Sequence, residues 1–123
     1  VPRPPFAYPV RCSGSYMAAI YRMRIYEAVP ENLPAFHRFF RERLLPVQLR
    51  HGARLVGRWE TEDGRVVAVW KYDSREAYER IAQAVRNDPG SLAAQEFRAT
   101  LGPLSTSCEE VFMTDTVARD TED

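Results

Sequence analysis

The most regular stretch of the chain begins at Ile20. In "IYRMRIYEA" (Ile20 to Ala28), Tyr21, Met23 and Ile25 fall on one side and Arg22, Arg24 and Tyr26 on the other. A period of two marks a half-buried β-strand. "VPENLP" follows, with Asn32 placed to cap a helix and Pro34 suited to its first turn. The helix reads to about Arg50, because Leu33, Phe36, Phe40, Leu44 and Val47 recur at spacings of three and four. Pro46 should disturb its last turn, and Gly52 is placed to stop it.

Two strands come next. "ARLVGRWET" (Ala53 to Thr61) and "RVVAVWKY" (Arg65 to Tyr72) flank "EDG", where Gly64 is free to adopt positive φ, so they form a hairpin. Asp73 and Glu76 have capping-box spacing before a helix from about Ser74 to Arg86, whose apolar face is Ala77, Tyr78, Ile81 and Val85. "NDPG" breaks it, a shorter helix runs from about Ser91 to Leu101, and a last strand lies within Ser105 to Thr116. The order is β-α-β-β-α-β. Its compact solution is an α+β, ferredoxin-like plait: a four-stranded antiparallel sheet with its helices on one face.

Such a plait leaves the other sheet face bare, and an open face should read polar. Neither side of the third strand does, since Val66, Ala68, Trp70 and Tyr72 alternate with Arg65, Val67, Val69 and Lys71. In the second strand Leu55, Gly57 and Trp59 alternate with Val56, Arg58 and Glu60. A sheet apolar on both sides needs a layer on both sides. A second copy is the simplest supply, so the pattern predicts a homodimer with two sheets packed into a barrel.

Composition narrows the class of partner. The chain has 123 residues, of which 45 % are apolar and 28 % charged, enough for one domain with a real core. Seventeen basic residues balance seventeen acidic ones, which gives no support for nucleic-acid binding. No apolar run is long enough to span a membrane. Cys12 and Cys108 match no metal spacing, and the cysteine usage points to the cytoplasm. Residues 1–17 read as an extended leader or N-terminal arm; Met17 is the expected natural start, the alternative being an arm that docks on a partner subunit. Residues 18–117 read as the domain, and 118–123 as a frayed tail.

Candidate chemistry centres on Arg24 and Tyr26. A guanidinium on an enclosed face needs an anionic or carbonyl partner. That partner is either a ligand carboxylate or phenolate, or one of Glu60, Glu109 and Glu110 across the sheet or dimer. Trp59, Trp70, Tyr72 and Tyr78 are expected either to line an aromatic pocket between helices and sheet or to be core. His37, beside Phe36 and Phe40, is a weak candidate general base. His51, at a helix end, is suited to meeting free carbonyls. The two histidines have no third ligand nearby, so no metal site and no cofactor are expected. Cys108 reads as an inert strand residue.

Several spaced motifs resemble NIPSNAP-type domains. They are Tyr21, Arg24 and Tyr26 in the first strand; Phe36 and Pro46 in the helix; His51 and Gly52 leading into Leu55, Val56, Gly57 and Trp59; then Trp70, Tyr72, Asp73 and Ser74, and "NDP". The resemblance covers about Ile20 to Thr116 and implies membership of the dimeric α+β barrel group. That group includes cofactor-free monooxygenases, haem-handling enzymes and proteins with no assigned reaction, so the fold does not choose a reaction. The expected function is a homodimer of unassigned reaction that binds a small, flat, partly apolar molecule, with Arg24 and Tyr26 as anchors and Trp70 and Tyr72 as walls. The alternatives are a cofactor-independent monooxygenase using His37 and Tyr26 on an activated aromatic, and a purely structural dimer module.

Overall fold

The structure is a computed structural model that describes residues 19–117; the expectations for residues 1–17 and 118–123 lie outside the described residues. Four strands, β1 (Ile20–Ala28), β2 (Arg54–Glu60), β3 (Arg65–Tyr72) and β4 (Ser105–Met113), form one antiparallel sheet in the order β2-β3-β1-β4. The helices α1 (Leu33–Phe39), α2 (Leu45–Arg50), α3 (Arg75–Arg86) and α4 (Pro89–Arg98) pack on one face. The expected plait is therefore present. No helix among the described residues is long and apolar enough to cross a membrane.

The first helix is not uniform. Between α1 and α2 it opens into a wide π turn, Phe40–Leu44, in which Leu45 N–H donates to Phe40 O, five residues back. Pro46 is the physical cause: it has no N–H to donate and its ring crowds the carbonyl four residues earlier. The disturbance expected in the last turn thus appears one turn upstream. It brings both Phe39 and Phe40 into the interior. Gly52 (φ 101°) and Gly64 (φ 89°) end the helix and close the hairpin as expected.

Three local expectations are corrected. Asn32 makes no side-chain cap; a short 3-10 turn (Pro30–Asn32) precedes α1, and Asn32 Nδ2 instead donates to Pro103 O at 2.7 Å. Ser74, not Asp73, caps α3, its Oγ accepting from Ala77 N–H at 3.0 Å. The last helix starts at Pro89 rather than Ser91 because Asp88 caps it, accepting from Gly90 N–H at 2.6 Å.

The core forms two clusters. One joins Phe36, Phe39, Val66, Ala94 and Leu104; the other joins Phe40, Ala53, Trp70, Tyr72 and Ile81. Val66, Ala68, Trp70 and Tyr72 are all buried against the helices. A β-bulge between Leu55 and Gly57 changes the parity of β2, pairing Leu55 with Trp70, Gly57 with Val69 and Arg58 with Ala68. Trp59 is therefore turned to the bare face, contrary to the expectation that it sits between helices and sheet. Its ring lies across Gly57, where any Cβ would come within 2.4 Å of it, and it stays 52 % exposed.

The same bulge turns Arg58 inward. Its guanidinium stacks on Phe36 and Phe40, at 4.9 and 4.4 Å from the ring centroids. Burial lowers its pKa, and Nε and Nη2 have no hydrogen-bond partner. A desolvated charge with unmet donors is a poor stabiliser, whereas its alkyl stem packs well. Arg58→Met should therefore leave the thermal midpoint unchanged or raise it, while Arg58→Ala lowers it; a marked loss in Arg58→Met would contradict this account.

Asp88 ties the end of the first helical segment to α4. His51 Nε2 lies 2.7 Å from its Oδ2, and Arg50 Nη2 donates at 3.2 Å. Bonds from His51, the Gly90 amide and Arg50 hold its carboxyl down at about 2, below the ordinary 3.8. A depressed carboxyl pKa contributes stability above the unfolded value, and that contribution fades as pH falls through the folded one. Asp88→Asn should unfold at a lower temperature than the parent at pH 6. The gap should close between pH 3.8 and about 2 in a series of thermal melts.

Candidate functional site

The side of β1 that carries Arg22, Arg24 and Tyr26 faces the helices. Strand pairing sets Arg22 beside Trp70 and Phe112, Arg24 beside Ala68 and Glu110, and Tyr26 beside Val66 and Cys108. Opposed residues of an antiparallel pair share a face, so these groups meet between the layers. Of the three acids weighed for Arg24, Glu110 is the one engaged. Its Oε2 accepts from Arg22 Nε in a short bond and from Arg24 Nη1 at 3.5 Å. Glu109 projects from the other face, and Glu60 pairs with His37.

Arg22 is the more enclosed cation, with its side chain 12 % exposed. Burial opposes its charge, yet the bond to Glu110 and the neighbouring Tyr72 oxygen outweigh burial and raise its pKa. Glu110 responds in kind: some burial works against it, but Arg22 and Arg24 lower its pKa. Burial raises the pKa of both Tyr26 and Tyr72, which keeps these phenols as neutral O–H groups. Arg22 Nη1 lies 3.5 Å from the Tyr72 oxygen.

Arg24 forks onto Cys108, with Nε and Nη2 at 3.2 and 3.1 Å from Sγ. Cys108, read as inert, is an exposed partner of the arginine. The Arg24 guanidinium also lies 5.5 Å from the Tyr26 ring centroid, and Tyr26 meets Phe36 edge-on at 5.2 Å.

A cavity of about 200 Å³ lies at this place, between the two core clusters. Its apolar walls include Phe36, Phe39, Phe40 and Trp70; its polar lining includes Arg22, Arg24, Tyr26, Ser105 and, from the helices, Gln48, Gln95 and Arg98. Arg24, Tyr26 and Trp70 thus line one cavity. Tyr72 stands one step away, in an adjoining chamber that also touches Arg22. Among the described residues the lining contains no imidazole and no carboxylate. It supplies hydrogen-bond donors and aromatic faces, the equipment of a binding site for an oxyanion on a flat molecule.

His37 is elsewhere. It borders an outer groove with Arg41, Leu55, Arg58, Trp59 and Glu60. Arg58 Nη1 lies 2.8 Å from its Nδ1, and its Nε2 lies 3.1 Å from Glu60 Oε1. An arginine only donates and a carboxylate only accepts, so this geometry suits a neutral ring protonated at Nε2. His51, expected at free carbonyls, bonds the Asp88 carboxylate instead. No group of three or more potential metal ligands occurs among the described residues.

Comparison with known proteins agrees with the fold. The NIPSNAP family profile matches residues 21–113. Among solved structures, an uncharacterized NIPSNAP domain protein from Burkholderia xenovorans is 24 % identical and superposes with a TM-score of 0.71, covering 82 % of this chain and 99 % of its own. A NIPSNAP family protein of unknown function from Agrobacterium tumefaciens is 19 % identical, with a TM-score of 0.69 over 81 % of this chain and 90 % of its own. A candidate antibiotic biosynthesis monooxygenase from Nitrosomonas europaea shares the fold at 15 % identity and a TM-score of 0.60, over 80 % of this chain and 91 % of its own. No curated protein matches. With a four-stranded plait and a family profile spanning almost all its described residues, this chain belongs to the NIPSNAP family.

Proposed function

We propose that this NIPSNAP chain is a homodimeric binding protein whose ligand is a small, flat, partly apolar molecule carrying a carboxylate or phenolate. The observation that carries the reading is the placement of Arg22, Arg24 and Tyr26 in an aromatic-walled cavity whose lining, among the described residues, holds no carboxylate. Glu110, outside the lining, balances only part of the charge. A cavity of about 150 Å³ can hold benzene, so about 200 Å³ suits one substituted ring. Arg24 and Tyr26 anchor the oxygen atoms, and Trp70 and the phenylalanines stack on the ring. Tyr72 supports Arg22 from behind.

The monooxygenase alternative draws on the shared fold with the Nitrosomonas europaea protein, a likeness of fold alone. It would also need a proton acceptor beside the substrate, and His37 borders a different groove. The binding reading needs neither base nor cofactor. Cysteine usage supports a cytoplasmic setting.

Titration with benzoate by calorimetry tests the ligand reading. Binding in the micromolar to millimolar range is expected. Arg24→Gln should weaken it by about tenfold or more, because a hydrogen bond to a charged group contributes roughly 1.5–3 kcal/mol. An absence of binding, or equal affinity in the variant, would overturn the reading.

The bare face supports the dimer. Met23 and Ile25 on β1, Val67 and Val69 on β3, and Val111 and Met113 on β4 lie side by side, with the Trp59 ring at the edge. An apolar surface spread over all four strands favours a self-complementary partner. Sedimentation at micromolar concentration should show twice the 14.2 kDa chain mass, and Val69→Glu should yield a folded monomer. A wild-type protein that sediments only at 14.2 kDa would refute the dimer.

A further inference from the structure

The cavity between the core clusters has a neighbour. A second chamber of about 150 Å³ is bounded by Tyr72, Tyr78, Ala82, Val85 and Arg86, and it shares Arg22 and Gln48 with the first. Among the described residues, these two side chains are the partition the chambers have in common. Arg22 is fixed by Glu110 and Tyr72. Gln48 has no side-chain hydrogen bond among the described residues, so its amide is free to move aside or to bond a ligand passing it.

Each chamber is lined by an arginine that has no ion pair among the described residues. Arg98, at the end of α4, lines the first chamber and has no ion pair among the described residues. Arg86, at the end of α3, lines the second and donates only to the Gln83 amide, at 3.0 Å. The walls between are aromatic on both sides of the neck: Phe40 and Trp70 in one chamber, Tyr72 and Tyr78 in the other. An arginine free of ion pairs among the described residues in each chamber, with aromatic walls beside it, matches a molecule that carries two anions joined by an apolar body.

We infer that the two chambers form one elongated site, whose ligand is an aryl dicarboxylate spanning the Arg22–Gln48 neck. The ring with its own carboxylate occupies the larger chamber, near Arg24 and Arg98. A short aliphatic arm passes Gln48, and its terminal carboxylate meets Arg86. This inference rests on the binding reading above and adds the length and second charge of the ligand.

A matched pair of probes separates the two ideas: 4-(2-carboxyethyl)benzoate and 4-propylbenzoate, alike in length, with benzoate as reference. Binding is measured by calorimetry on the full chain. The dicarboxylate should bind about tenfold tighter than 4-propylbenzoate, although the propyl arm is the more hydrophobic, since a charge-assisted contact contributes about that factor. Arg86→Gln, at an exposed position, should abolish that advantage, so that the dicarboxylate binds no tighter than 4-propylbenzoate. If 4-propylbenzoate binds as well as the dicarboxylate, or if the preference survives in Arg86→Gln, the elongated site is refuted while the single-ring reading stands. If benzoate also fails to bind, both are refuted.

Discussion

The structure turns on the Arg22–Glu110–Arg24 cluster. Three charged side chains from two adjacent strands meet on the face that the helices cover. A plait of this size would ordinarily fill that layer with one continuous hydrocarbon core. Here the charges interrupt it, and the apolar side chains gather into two masses on either side. Arg22 is the enclosed member, and removing Glu110 would leave its guanidinium without a carboxylate, which is costlier than the pair is stabilising. The cluster is thus better understood as a device that keeps space and polarity inside the fold than as a source of stability.

Much of this was legible in the sequence. Alternation in β1 and β3, the three-and-four spacing of the first helix and the turn residues define the plait without any coordinates. The grouping of Arg22, Arg24 and Tyr26 on one side of β1 follows from strand period alone. Which acid answers them does not, because it depends on the register of β4 against β1, strands far apart in the chain. The helix contributions to the site, Gln48, Gln95 and Arg98, were equally silent. They are ordinary polar residues on amphipathic helices, and only packing shows which of them lean inward.

Two errors of reading share a cause. Trp59 was grouped with Leu55 because both fit a strict period of two, and one extra residue in β2 breaks that period. Phe39 is not in the stripe of Leu33, Phe36, Phe40, Leu44 and Val47, yet it is buried, and the wide turn begins at the next residue. Periodicity locates elements well, but a single-residue insertion reverses a face without leaving a clear mark in composition.

The wide turn at Phe40–Leu44 also sets a scale. Phe39 belongs to one hydrophobic mass and Phe40 to the other, although they are consecutive. Helical pitch at that point fixes how far apart the two masses stand. The dimensions of the void between them are therefore inherited from backbone geometry rather than from any loop. A version of this chain with the turn made regular would keep the plait but enclose a differently shaped interior, since one residue of helical phase separates Phe39 from Phe40.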